Sequence, residues 1–168
     1  QFYPACYKNV FTIGASNKED DPAGFSNYGH EVEVFAPGKQ VLTTDRTSQY
    51  VRPDGTSFSS PIVSSLAGLI KAKNPSWGPQ KIMHQIISTS ENVFESSGYP
   101  RNKFYGRINA HKAMTINNLP GLEVSDIKFG FRNELDTYEP VTATLKISNF
   151  LAPAENAKIT LTALDNFI

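Results

Sequence analysis

The chain has 168 residues, of which 39% are hydrophobic, so it can form one domain or parts of two, and its composition is not that of a disordered chain. Its 16 basic and 16 acidic residues give a formal net charge of +0, which argues against nucleic-acid or membrane-surface binding, because both usually need a basic excess. No apolar run approaches the roughly 20 residues of a membrane-spanning helix.

Short strands and polar turns are expected in the first third of the chain. Residues 10–15 are mostly apolar and β-branched, which is typical of a buried strand. Residues 31–35 alternate charged with apolar side chains and predict a strand with one solvent-exposed face, and residues 41–44 predict another short strand. The polar residues 47–54 are expected to form a loop.

Helical periodicity replaces this pattern in the middle of the chain. Residues 58–73 repeat apolar side chains at helical spacing with small residues between them, and they predict a helix packed on nearly every face. A second helix is expected to begin with Pro79 at its first position, and a short third helix to span residues 109–114. The second helix should bury a stripe formed by Ile82, Met83, Ile86 and Ile87.

The pattern changes again after a linker at residues 115–121. From Leu122 onward, three segments alternate apolar with polar residues, which predicts the beginning of an antiparallel β-sandwich. Residues 122–168 are therefore predicted to be a partial accessory domain, because three strands cannot close a sandwich. The turn-like start at Gln1 and the abrupt end at Ile168 are interpreted as cuts in a longer chain.

The candidate catalytic residues lie in the segment from Asp54 to Pro61. Ser57 lies between a glycine-containing loop and the expected N-terminus of a buried helix, where backbone N–H groups lack intrahelical partners and the helix dipole adds partial positive charge. A serine there can act as a nucleophile whose own N–H stabilises an oxyanion, and Gly55 allows a substrate backbone to approach. The alternative is that Ser57 or Thr56 only caps the helix, which is the commoner role of these residue types.

Several motifs that follow one another along residues 1–115 point to one family. The pattern Gly55-Thr56-Ser57-x-Ser59-x-Pro61 resembles the active-site serine signature of the subtilases. Four further segments are similar to the family's strand entry, turns and closing element: Tyr3-Pro4-Ala5 with Asn9-Val10 and Gly14-Ala15, Phe25-Ser26-Asn27-Tyr28-Gly29, Val34-Phe35-Ala36-Pro37-Gly38, and Gly106-Arg107-Ile108-Asn109-Ala110. On this resemblance residues 1–116 are identified as the C-terminal part of a subtilisin-like catalytic domain. The resemblance implies an α/β fold, in which a parallel sheet is flanked by helices.

The resemblance implies a serine endopeptidase that hydrolyses proteins or peptides through a Ser-His-Asp triad. Ser57 matches the serine of that triad, and Gly55, Thr56 and Ala5 match substrate-binding positions. The triad aspartate and histidine would lie upstream of Gln1, in an N-terminal part of the catalytic domain that is the expected partner of this chain. None of the three histidines fits the family pattern, and each is expected at the surface: His30, His84 and His111.

Two other interpretations compete with this one, and the first of them stays open. One is a catalytically dead subtilase-like protein that serves as a binding or surface module, and upstream Asp-Thr/Ser-Gly and His-Gly-Thr motifs would distinguish it from an enzyme. The other is an adhesive β-module with a helical cap, which fails to explain the ordered motifs.

The resemblance also bears on cofactors and location. No cofactor is required, but a structural calcium is allowed, because the carbonyls of Ala5, Tyr7 and Val10 with Glu33 match a variable cation site of some relatives. The family further implies a secreted or cell-surface protein. Cys6 is interpreted as a half-buried apolar residue rather than a catalytic thiol, because no partner histidine is identifiable.

Overall fold

The computed structural model describes residues 3–29, 31–92, 106–129 and 143–159. The chain divides into a first unit, residues 1–116, and a second unit, residues 117–168. Within the described ranges, no helix combines the length and the apolar character needed to cross a bilayer.

The first unit is built on a small parallel sheet. Strand β1 (Ile13–Ser16) pairs with strand β2 (Val34–Pro37), with Ile13 opposite Val34 and Ser16 opposite Pro37. The other edge of β2 is covered by residues 106–108, because Phe35 donates its N–H to the Gly106 carbonyl and accepts the N–H of Ile108, both at 2.9 Å. β2 is therefore paired on both edges, and its first three residues are buried.

A short hairpin connects the sheet to the first helix. Strands β3 (Thr43–Thr44) and β4 (Tyr50–Val51) pair antiparallel, and the Asp45 carboxylate closes the turn by accepting the N–H groups of Thr47 at 2.8 Å and Gln49 at 3.0 Å. The prediction of a loop over residues 47–54 was thus wrong at β4. Strand pairing across an Asx turn is not visible in the alternation of a polar segment.

Three helices cover the sheet. They are α1 (Thr56–Lys73), α2 (Pro79–Ser88) and α3 (Ala110–Thr115). The Gln85 amide of α2 donates to the carbonyls of Ala113 at 3.0 Å and Ile116 at 2.6 Å, which ties α2 to the end of α3. The helices and the sheet share one core of Val34, Ala36, Val63, Leu66, Ile70, Ile82, Ile86, Ile108 and Ala113. The predicted α/β arrangement of a parallel sheet with helices is confirmed.

Two burial predictions differ from the structure. α1 buries a single stripe, Ser59, Val63, Leu66 and Ile70, and is exposed elsewhere, at Ser57, Ser60 and Leu69 among others. His84 was expected on the polar face of α2, but only 8% of it is exposed. Residue 84 lies on the far side of α2 from Ile82 and Ile86, so the helix is covered on a second side, which a single apolar stripe does not reveal.

A charged network fastens residues 106–109 to the chain around Glu91. The Arg107 guanidinium contacts the Asp20 carboxylate at 2.5 Å and the Glu91 carboxylate at 2.8 Å. Glu91 also accepts from the Lys112 ammonium and the Asn109 amide, both at 2.9 Å. Lys112 first, then Arg107 and Asn109, lower the pKa of Glu91 from 4.5 to about 2.

This network predicts an acid-dependent loss of stability. Because the pKa of Glu91 is lower in the folded state, its contribution is complete above pH 4.5 and is lost as the pH falls through about 2. At pH 7, Glu91→Gln should lower the free energy of unfolding by about 1–2 kcal/mol, a value discounted for partial solvent screening. Denaturant unfolding of the full-length protein should give curves for variant and wild type that converge near pH 2.

A matched control is available in the second unit. Glu155 is exposed, so Glu155→Gln should leave the pH dependence unchanged. A difference between Glu91→Gln and wild type that is the same at every pH would contradict the electrostatic explanation.

The described part of the second unit is one antiparallel pair. Strand β5 (Leu122–Phe129) pairs with strand β6 (Ala143–Asn149), with a register shift between Val124 and Asp126. The Asn149 side chain receives the Gly121 N–H at 3.1 Å at the start of β5. The third predicted strand lies mostly outside the described residues, so the β-sandwich stays a prediction.

Candidate active site

The N-terminus of α1 is fixed to the carboxyl end of β2. Ser59 is fully buried, and its hydroxyl donates to the carbonyls of Ala36 at 2.9 Å and Pro37 at 3.2 Å. The Gly55 N–H donates to the Gly38 carbonyl at 2.8 Å. These bonds hold residues 53–57, here named the nucleophile loop, at the carboxyl end of the parallel sheet, where open α/β folds place their ligand sites.

Close packing at Gly38 makes this junction possible. A methyl group at Gly38 would lie 2.5 Å from the Ser59 hydroxyl, 2.6 Å from the Ala15 Cβ and 2.9 Å from the Gly55 carbonyl oxygen. Such distances are too short for real contacts, so only glycine lets β2 pass this close to the nucleophile loop. The sequence analysis assigned Gly38 to a family motif but did not identify this packing reason.

Ser57 is exposed at the second position of α1. The N-cap of the helix is Gly55, and no side chain makes a capping hydrogen bond, so the alternative in which Ser57 or Thr56 is only a cap is wrong. Across the described parts of the chain, neither the hydroxyl nor the N–H of Ser57 has a recorded partner. A hydroxyl and an unpaired N–H therefore lie together at the positive end of an 18-residue helix.

Ser57 opens into a cleft of about 970 Å³. The cleft is lined by Pro4, Ala5 and residues 10–13, and by six residues of α1: Thr56, Ser57, Ser60, Pro61, Ser64 and Ser65. The structure thus brings three of the four predicted site residues, Ala5, Thr56 and Ser57, to one cleft. Gly55 does not line the cleft. It is the N-cap of α1 and directly precedes Thr56, which does line it.

The histidines do not complete this site among the residues that are described. His84 is buried on α2 and His111 is exposed on α3, and neither lines the cleft. The surface prediction is correct for His111 and wrong for His84, and His30 lies outside the described residues.

The possible cation site contains carbonyls that are already hydrogen-bonded. The Ala5 carbonyl accepts the Thr12 hydroxyl at 2.6 Å, and the Tyr7 carbonyl accepts the Val10 N–H at 3.1 Å. Among all the residues that the structure describes, no group of three or more His, Cys, Asp and Glu side chains is placed to hold a metal ion. Since a carbonyl oxygen has a second lone pair, these bonds do not remove the ligands, and the calcium stays a prediction. Cys6, the single cysteine of the chain, is half-buried as expected.

Two residues named in the sequence analysis make supporting contacts that sequence reasoning did not identify. Ser59 is the first member of the buried α1 stripe, four residues before Val63, and a polar residue at such a position signals a specific buried hydrogen bond. Asp54 accepts the Gln40 N–H at 2.8 Å and so links the nucleophile loop to the segment after β2. That contact joins residues 14 positions apart and has no local sequence signal.

Comparison with known proteins shows which protein family this chain resembles. The family model described as the subtilase family matches residues 2–116. M-protease of Shouchella clausii (strain KSM-K16) is 35% identical over 111 residues, which are 66% of this chain and 28% of that protein. Subtilisin Savinase of Lederbergia lenta is also 35% identical over 111 residues, 66% of this chain and 40% of that protein. The chain thus spans less than half the length of these curated relatives.

Solved structures resemble the same part of the chain. The prenylagaramide maturation protease PagA superposes with a TM-score of 0.57 at 29% identity, covering 67% of this chain and 44% of that one. MycP1 with its N-terminal propeptide removed gives a TM-score of 0.56 at 29% identity, covering 68% of this chain and 39% of that one.

Proposed function

Because the chain belongs to the subtilase family, we propose that it supplies the catalytic serine, Ser57, of a serine endopeptidase. The observation that carries this proposal is the exposed Ser57 at the N-terminus of α1, with its N–H unpaired within the described residues, beside a cleft large enough for a peptide.

The proposed reaction is acyl transfer followed by hydrolysis. The Ser57 Oγ forms a bond to the carbonyl carbon of the scissile peptide while its proton passes to a histidine base. The oxyanion that develops accepts a hydrogen bond from the Ser57 N–H at the positive end of α1. The C–N bond then breaks as the histidine returns the proton to the leaving amine, and water, activated by the same base, releases the acyl group from Ser57.

The histidine, the aspartate and the second oxyanion donor are proposed to come from the N-terminal part of the catalytic domain. The short span relative to the family's members supports this, since the matched residues make up only 28–40% of M-protease and Subtilisin Savinase. The substrates are proposed to be proteins and peptides, with Ala5 at the wall of the pocket for the side chain before the scissile bond and Gly55 and Thr56 beside the substrate backbone. Secretion or cell-surface location and a structural calcium are part of the same proposal.

The test is covalent labelling of the full-length protein. A biotinylated organophosphonate should form one adduct, which tryptic mass spectrometry should locate on Ser57, and Ser57→Ala should abolish it. Ser76→Ala is the matched control, because Ser76 is an exposed serine in the turn between α1 and α2 and should not affect labelling. Labelling that survives Ser57→Ala would refute the assignment, and absence of labelling in the wild type would favour the catalytically dead alternative.

A further inference from the structure

A second, polar cleft lies at the carboxyl ends of β1 and β2. It has a volume of about 380 Å³ and is lined by Asn17, Lys18, Glu19, Lys39, Gln40 and Arg52, and is here named the basic cleft. Three of these side chains are positively charged and one is negatively charged, although the whole chain has a formal net charge of +0. Positive charge concentrated in a concave surface attracts an anionic ligand.

Two of the cations are available to such a ligand. Lys39 and Arg52 are exposed, and no ion pair or hydrogen bond of the Lys39 ammonium or the Arg52 guanidinium is recorded over residues 3–29, 31–92, 106–129 and 143–159. Among the described residues that line the cleft, Glu19 supplies the one carboxylate, and it lies 3.6 Å from the Lys18 ammonium. The guanidinium of Arg52 presents a donor pair that matches a carboxylate.

The basic cleft borders the nucleophile loop. Gln40, which lines the cleft, donates its N–H to the Asp54 carboxylate at 2.8 Å, and the neighbouring Val41 N–H donates to the Pro53 carbonyl at 3.2 Å. Asp54 precedes Ser57 by three residues, which span at most about 11 Å. The Asp54 side chain and its hydrogen bond to Gln40 add roughly 6 Å, so the rim of the cleft lies within about 17 Å of Ser57. An extended peptide covers about 3.3–3.6 Å per residue, so a substrate held at Ser57 reaches the rim of the cleft within about five residues of its scissile bond.

The basic cleft is distinct from the cleft that holds Ala5 and Ser57, because the two share no lining residue. In the proposed function, Ala5 forms the wall for the residue before the scissile bond. A substrate residue held in the basic cleft is therefore a different one.

We propose that the basic cleft binds a carboxylate side chain of the substrate, within about five residues of the scissile bond, through Lys39 and Arg52. The enzyme then prefers substrates with aspartate or glutamate at that distance. This inference rests on the proposed function, and it adds a substrate class to it.

The test is the cleavage profile of the full-length enzyme on a synthetic decapeptide library randomised at every position. Mass spectrometry of the products should show acidic residues enriched about three- to tenfold at one position within about five residues of the cleaved bond, other than the position directly before it, as expected for two exposed ion pairs. The enrichment should fall between about 20 mM and about 500 mM NaCl, because salt screens exposed charges. The double variant with Lys39→Glu and Arg52→Glu should lose it and favour lysine and arginine there.

The control is Lys81→Glu, the same charge change on α2, where the Lys81 ammonium lies 4.7 Å from the Trp77 ring centre, near the opposite end of α1. It should leave the profile unchanged, and Lys39→Gln with Arg52→Gln serves if the charge reversal impairs folding. Cleavage without acidic enrichment at these positions, or enrichment that survives the double variant, overturns the inference and leaves the proposed function intact. An enzyme that neither cleaves the library nor labels at Ser57 overturns both.

Discussion

Replacing Ser57 by alanine in the full-length enzyme is expected to lower kcat by about 10⁴- to 10⁶-fold. In subtilisin itself, loss of the nucleophile costs about 10⁶-fold, and the remaining rate comes from the oxyanion hole and substrate binding. Ser57 is exposed and its side chain has no recorded hydrogen bond within the described residues, so the substitution should not disturb the fold. KM for a small peptide substrate should change little, because ground-state binding does not need the hydroxyl.

The measurement is steady-state hydrolysis of a chromogenic peptide together with denaturant unfolding of both proteins. Ser76→Ala, which removes an equally exposed hydroxyl, should retain full activity. A Ser57→Ala protein that keeps more than about a tenth of wild-type kcat would show that another group forms the acyl bond, since a tenfold change corresponds to only about 1.4 kcal/mol of barrier.

The substitution Gly106→Ala is expected to have the largest effect on stability. Gly106 has a φ of +101°, which a side chain disfavours, and its carbonyl accepts the Phe35 N–H that pairs residues 106–108 with β2. An added methyl group would lie 2.2 Å from the Glu91 carbonyl oxygen and 2.7 Å from its carbon, both backbone atoms that cannot turn aside. Left-handed backbone strain of about 1–2 kcal/mol and overpacking of about 1–3 kcal/mol should together lower the free energy of unfolding by about 2–5 kcal/mol.

The matched control is Gly24→Ala. No atom lies within 4 Å of the methyl group added there, and its φ is not left-handed, so stability should be unchanged or slightly raised. Urea unfolding of the full-length protein and its two variants provides the comparison. Equal stability of Gly106→Ala and wild type would mean that the backbone at Glu91 moves at little cost.

The helices of the first unit could be predicted from the sequence because their signals are local. Pro79 begins α2 as expected, and α1 ends at Lys73 before Asn74-Pro75, although it starts two residues earlier than predicted, at Thr56. The predicted start of strand β1 lies three residues before the observed start at Ile13, because apolar residues continue beyond those that pair with β2. Pairing is decided by the partner strand, which the segment itself does not encode.

The candidate site was partly predictable because its central motif is also local in sequence. Ser57 and its loop form one contiguous motif, so residue types and order were sufficient to identify it. The contacts that position the nucleophile loop and the segment of residues 106–109 join residues far apart in sequence. The loop is held by the bond from Ser59 to the Ala36 carbonyl, 23 residues away, and the segment by the Arg107–Asp20 contact, 87 residues apart. Neither alternation nor helical periodicity carries information about such pairs, so Ser59 and Arg107 were recognised only as parts of motifs.

The pairing of Phe35 with Arg107 has a consequence for biosynthesis. At about 5–20 residues per second, a ribosome adds Arg107 roughly 4–14 s after Phe35. During that interval β2 can pair with β1, and α1 and α2 can form from local contacts, but the second edge of β2 has no partner from residues 106–108. An open strand edge is a site for wrong pairing between chains, so this interval is when a nascent chain is most exposed to misassembly and has most need of a chaperone.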